Sequence, residues 1–145
     1  MKVVVIDGQG GRIGKLVVEK LAKSGQFDGE KNELIAIGTN TIATAAMLKA
    51  GAPLGATGDN PAAVNCADAD VVVGPIGIIA ANALLGEVTP KMAAAVGQSE
   101  AVRILIPVNR CDNLVAGVQN APLSVFLQDA VAKLRSVLEN KGVAE

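Results

Sequence analysis

The residues best suited to holding a phosphate stand near the start of the chain, at Gly8-Gln9-Gly10-Gly11-Arg12-Ile13-Gly14. Glycines here let a backbone turn tightly and let an anion approach main-chain amides that a Cβ would shield. Arg12 adds a permanent cation. Val3 to Ile6 before the turn read as a buried strand. Arg12 to Lys23 after it read as an amphipathic helix, with Ile13, Leu16, Val17 and Leu21 at helical spacing. A strand, a glycine turn and a helix N-terminus in succession form a site for a diphosphate. The alternative is a tight strand-to-helix corner with no ligand.

The glycines spell G-x-G-x-x-x-G through Gly8, Gly10 and Gly14, or G-x-x-G-x-x-G through Gly8, Gly11 and Gly14. The strict dinucleotide fingerprint wants a small residue at Ile13 and finds it one position later. Dinucleotide-binding strands commonly end, at the second strand, in an acid that binds the adenosine ribose. Here Gly38-Thr39-Asn40 follows Leu34–Ile37 and no acid is present. Thr39 and Asn40 can bind a ribose or a 2′-phosphate, and Arg12 can neutralise that phosphate, which favours NADP over NAD. Thr39 or Asn40 can equally cap the helix expected from Ile42 to Ala50. A second turn, Gly74-Pro75-Ile76-Gly77, ends Val71–Val73. On a parallel sheet it lies at the switch point, where it lines the nicotinamide side or simply turns a corner.

Reaction chemistry is scarce. With no His and no Tyr, neither a His-Asp relay nor a Tyr-Lys dyad exists. The candidates reduce to Asp7, Lys91, Cys111 and Asp112, and Asp7 is expected to fix the turn through backbone amides rather than move protons. Cys111 has Arg110 beside it, whereas Cys66 is expected to pack as a small apolar residue. No catalytic residue is assigned. Two cysteines without histidine make no recognisable zinc site.

These residues need a frame, and the rest of the chain describes one. Half the residues are hydrophobic yet only 1% are aromatic, so the core is Val, Ile, Leu and Ala. Strands at Val3–Ile6, Leu34–Ile37, Leu54–Thr57, Val71–Val73 and Val102–Val108 alternate with helical segments. Those segments are Arg12–Lys23, Ile42–Ala50, Asp59–Cys66, Ile78–Leu85, a helix started by Thr89-Pro90 and stopped near Gly97, and Pro122–Asn140. Leu114–Val118 can pair back as an antiparallel edge after the polar turn Asn109–Asn113. The expected fold is α/β, a Rossmann-like doubly wound parallel sheet in three α/β/α layers, strand order 3-2-1-4-5, with a C-terminal helix. At 145 residues it is one domain, 1–145.

A net charge of −1 without a basic stripe argues against nucleic acid. The uncharged run Val71–Gly86 holds Gly74, Pro75, Gly77 and Asn82 and falls short of the ~20 apolar residues of a membrane span. A chain starting directly on a strand is expected to lack a signal peptide and to work in the cytoplasm. The segment Ile78–Leu85, apolar nearly all round, predicts a homo-oligomer with that segment or the last helix at the interface.

The turn Gly8–Gly14 resembles the G-x-x-G-x-x-G turns of atypical short-chain dehydrogenases and of dihydrodipicolinate reductase, over the first strand and helix. More extensively, to about Val118, the chain resembles a family of small bacterial proteins of unknown function. The shared stretches are Val5–Gly11, Gly38-Thr39-Asn40, Val73–Gly77, Leu85-Gly-Glu-Val-Thr-Pro90 and Ile106-Pro-Val-Asn109. That resemblance implies a Rossmann-like nucleotide-binding fold and no assigned reaction. The expected role is an NAD(P)-binding sensor, regulatory or carrier module. The alternatives are an oxidoreductase whose site a partner subunit completes, and a ligand-free interaction scaffold. Gly8, Gln9, Gly10, Gly11, Arg12 and Ile13 would serve the diphosphate, Thr39, Asn40 and Arg12 the adenosine end, and Gly74, Pro75, Ile76 and Gly77 the nicotinamide side.

Overall fold

The computed structural model describes residues 1–108 and 113–144. Five strands form one wholly parallel sheet: β1 (Lys2–Asp7), β2 (Glu33–Gly38), β3 (Leu54–Thr57), β4 (Val71–Pro75) and β5 (Val102–Ile106). Their order is β3-β2-β1-β4-β5, as the alternation of elements predicts. The helices are α1 (Arg12–Lys23), α2 (Thr41–Lys49), α3 (Asp59–Cys66), α4 (Pro90–Gln98) and α5 (Leu123–Ala144). The chain reverses direction across the sheet between β1 and β4, so the switch point lies beside the end of β1.

The three central strands, β2, β1 and β4, are apolar on both sides because both faces are covered. Val3, Val5, Leu34, Ala36, Val71 and Val73 join one core with Ile13, Val17 and Leu21 of α1, Met47 of α2 and Leu127 and Leu134 of α5. The alternating residues Val4, Ile6, Ile35, Ile37 and Val72 join a second core with Ala62 and Cys66 of α3 and Met92 and Val96 of α4. The caps follow local chemistry. The Asn40 side chain accepts from Ala43 N at 2.9 Å to start α2, and Thr89 Oγ1 accepts from Met92 N at 3.1 Å to start α4, with Pro90 in its first turn.

Two expectations are corrected. Ile78–Leu85 is not an α-helix. After β4 the chain makes a 3₁₀ turn, Ile76–Ile79, and then a compact loop. Asn82, Leu84 and Leu85 take left-handed backbone angles of φ 65, 56 and 58°, followed by Gly86 at 89°, which no α-helix accommodates. The loop is closed by its own backbone bonds, Asn82 N to Val88 O at 2.7 Å and Val88 N to Ala83 O at 3.1 Å. Its apolar residues Ile78, Ala83, Leu84 and Val88 are buried in the second core, whereas Ile79 and Leu85 are exposed. Nor do residues 114–118 form a strand; they run as coil with a turn at Ala116-Gly117. Asn109, Arg110, Cys111 and Asp112 of the expected polar turn lie outside the described residues. Among the described residues no helix is long and apolar enough to cross a membrane.

Candidate functional site

The parallel register sets Asp7 level with Gly38, so the residues after them, Gly8 and Thr39, leave the sheet side by side. Thr39 N donates to Asp7 O at 3.0 Å. From Gly8 the chain turns through Gln9 at φ 49° and Gly11 at φ 72° into α1, with Gly11 N donating to Gly8 O at 2.9 Å. Gly11 is needed twice over. Its backbone is left-handed, and a Cβ there would lie 2.8 Å from Cα of Ala43 on α2. A Cβ on Gly14 would meet Asp7 Cβ at 2.8 Å and the Met47 sulfur at 2.5 Å, so this glycine seats α1 against β1 and α2. Gly10 differs from both: a Cβ there meets nothing within 4 Å.

Asp7 fixes the turn as the sequence predicts. Its Oδ1 accepts from Gly8 N at 2.8 Å and its Oδ2 from Gly14 N at 2.7 Å. Gly11, the residue before α1, has no side chain with which to cap it, and Asp7 takes that role from the neighbouring strand. Burial pushes the Asp7 carboxyl above its ordinary value, against the amides of Gly14, Gly8 and Ile13, which favour the anion; nearby Glu87 raises it further. Those amides are therefore already used. Among the described residues no acceptor lies on the amides of Gly10 and Arg12, and the Arg12 side chain has neither ion pair nor hydrogen bond. A cavity of about 210 Å³ opens here, lined by Asp7, Gly8 to Ile13, Val108 and Leu123.

An acid occupies the end of β2 after all, delivered by another element. Glu87, on the loop after β4, accepts through Oε1 from Gln9 N at 2.9 Å, Thr39 Oγ1 at 2.8 Å and Asn40 Nδ2 at 2.6 Å. Asn40 Nδ2 also donates to Gln9 O at 2.9 Å, which ties the two turns together. Slight burial acts to raise the Glu87 carboxyl, but the three donors outweigh it and hold it below its ordinary value. Leu84 of the same loop stands over Gly8, its Cδ1 2.8 Å from where a Cβ would be. Sequence reading missed Glu87 because it searched for the acid beside β2. A signal was present, since Glu87 is the only charged residue between Asp70 and Lys91.

The structure therefore gathers Gly8, Gln9, Gly10, Gly11, Arg12 and Ile13 around one cavity and sets Thr39 and Asn40 against it through Glu87. Gly74, Pro75 and Gly77 are buried. Gly74 leaves room for the carbonyl of Ile6 and for Ile78, and Ile76 lines a different cavity, of about 1090 Å³, between β5 and α5. Lys91 is exposed on α4 and donates to Asn60 Oδ1 at 3.2 Å. Buried Cys66 is a free thiol, pushed up to about 11 by desolvation. Among the described residues no group of three or more potential metal-binding side chains converges.

Sheet order, switch point and glycine turn together define a small Rossmann-like α/β protein. The chain belongs to the family described as Domain of unknown function (DUF3842), whose model matches residues 2–139. The match extends past Val118 into α5. No curated protein matches the chain.

Proposed function

We propose that this protein is a cytoplasmic, NAD(P)-binding module that senses, regulates or carries, with the diphosphate held at the turn Gly8–Ile13. The observation that carries the reading is the open face at Gly10. There two backbone amides and the Arg12 side chain, without hydrogen-bond or ion-pair partners among the described residues, border a small cavity beside the N-terminus of α1, at the switch point of the sheet. The residues fit a diphosphate in kind: Gly10 and Arg12 would donate amides and Arg12 its charge. The cavity is smaller than the roughly 300–1,000 Å³ of a typical small-molecule pocket, so it suits the phosphates while the nucleosides extend beyond it.

A binding module is favoured over a complete enzyme by the cavity's ionisable groups. Among the described lining residues these are Asp7, engaged with amides, and Arg12, whose guanidinium offers donors and no acceptor. Neither is a free acid or base. Self-association belongs to the same reading and rests on the free edge of β5 beside the larger cavity.

Calorimetric titration with NAD, NADP and their reduced forms tests the proposal. Saturable binding is expected, and it should disappear in Gly10→Leu, whose side chain enters space the fold leaves empty. No heat with any of the four at up to millimolar concentration overturns the reading. Oxidation of NAD(P)H with a panel of carbonyl or imine compounds would move the protein to the oxidoreductase alternative.

A further inference from the structure

We propose that Glu87 reads the adenosine ribose of the bound nucleotide and selects NAD against NADP, an inference that rests on the binding reading above. In open parallel sheets of this order, the group at the end of the second strand decides the matter. A carboxylate there accepts from the 2′- and 3′-hydroxyls, and a 2′-phosphate needs a cation instead. The end of β2 carries Gly38, Thr39 and Asn40, whose own chemistry leaves both cofactors open. The carboxylate of Glu87 removes that ambiguity.

Three donors converge on Oε1, one from the glycine turn and two from the end of β2, so the carboxylate bridges the two elements that flank the ribose in this architecture. Among the described residues no hydrogen bond falls on Oε2, which leaves it for a diol. The loop that carries Glu87 is held by its own backbone bonds and by burial of Leu84 and Val88 on either side. The acid is therefore placed before any ligand arrives. A 2′-phosphate in the same place would set a dianion against a fixed carboxylate whose donors are already taken, and like charges at such range repel. Arg12, the cation that made NADP attractive on sequence grounds, lines the diphosphate cavity, whereas none of the three groups bonded to Glu87 is a cation.

The test compares matched ligands on the full chain by calorimetry: NAD against NADP, and ADP against adenosine 2′,5′-bisphosphate. Wild-type protein is expected to bind NAD at least tenfold more tightly than NADP, and ADP more tightly than the 2′-phosphorylated nucleotide. Glu87→Gln keeps an acceptor oxygen for the three donors and removes only the charge. It should lower the NAD/NADP ratio about tenfold, mainly by tightening NADP, with an unchanged circular dichroism spectrum. Equal binding of both cofactors by wild-type protein, or a preference for NADP, overturns the inference and leaves the binding reading standing. An unchanged ratio in a folded Glu87→Gln also overturns it. Absence of binding by every nucleotide overturns the binding reading and this inference with it. The wild-type comparison decides even if the variant fails to fold.

Discussion

Asp7 and Glu87 both place a carboxylate against backbone amides of the glycine turn, and their surroundings drive them in opposite directions. Asp7 is buried and raised; Glu87 is largely solvated and lowered. An acid with a raised value in the folded state holds its proton more tightly there than in the unfolded chain. Protonated Asp7 is the form burial favours, so its contribution to stability is complete below its unfolded value and is withdrawn as pH climbs through the folded one. Glu87 does the reverse: its contribution is complete above the ordinary Glu value of 4.5 and disappears as pH falls through the lower folded value. Urea denaturation at stepped pH should therefore show wild-type protein ahead of Glu87→Gln above that value, with the gap closing in acid. Asp7→Asn is expected to destabilise at neutral pH, by about 1–3 kcal/mol. One amide oxygen cannot replace two carboxylate oxygens serving Gly8 and Gly14, and the amide's N–H groups would face other donors. Gain of stability in Asp7→Asn would show that the cost of burial, not the capping, dominates.

At the scale of elements, one short motif divides its labour between packing and binding. Gly14 is enclosed and Gly10 is open, although both belong to the same glycine pattern. Gly14→Ala must push α1 away from Asp7 or displace buried Met47, and overpacking of that kind costs roughly 1–3 kcal/mol. Gly10→Ala should leave the unfolding free energy from urea denaturation within about 0.5 kcal/mol of wild type, as surface changes usually do. Equal destabilisation by both would mean that the open face of Gly10 is not available to a ligand.

The same scale shows which signals were readable. Apolar runs such as Val3–Ile6, Leu34–Ile37 and Val71–Val73 announced strands covered on both faces, whereas the short Leu54–Thr57 gave a weak signal because that edge strand is largely exposed. The intervening helical segments pointed to parallel crossovers and the order 3-2-1-4-5. Asp7 was legible as the fixer of its turn because it directly precedes Gly8. The loop after β4 was not, since an apolar run such as Ile78–Leu85 looks the same whether it is a buried helix or a buried turn. Asn82 tolerates a left-handed angle locally, but Leu84 and Leu85 do not favour one, and Leu84 holds its angle while packed on Gly8. Glu87 meets Thr39 across 48 positions of sequence, a separation that no motif spacing reports.

The whole molecule leaves two sheet edges, and they are unequal. The β3 edge is four residues long, Leu54–Thr57, while β5 presents Val102–Ile106 with no strand on its outer side among the described residues. Edges of this kind are usually blunted by charge. Arg103 is the one charge on β5, and its Nη1 donates to the carbonyl of Ser99 at 2.5 Å, at the strand's start. Beside the edge, the cavity between β5 and α5 is lined by apolar Val125, Phe126 and Val137, and Val102 and Val125 are 40% and 48% exposed. A second copy related by a two-fold axis would pair β5 with β5 in antiparallel fashion and bring two such apolar flanks together, a closed arrangement that leaves no free β5 edge. Light scattering at micromolar concentration should accordingly give the mass of a dimer. Val102→Lys, at a half-exposed position that contributes little to either core, should give a folded monomer. Leu54→Lys on the β3 edge should leave the mass unchanged. A monomeric wild type would remove self-association from the functional reading, and a dimer disrupted only by Leu54→Lys would move the interface to the opposite edge of the sheet.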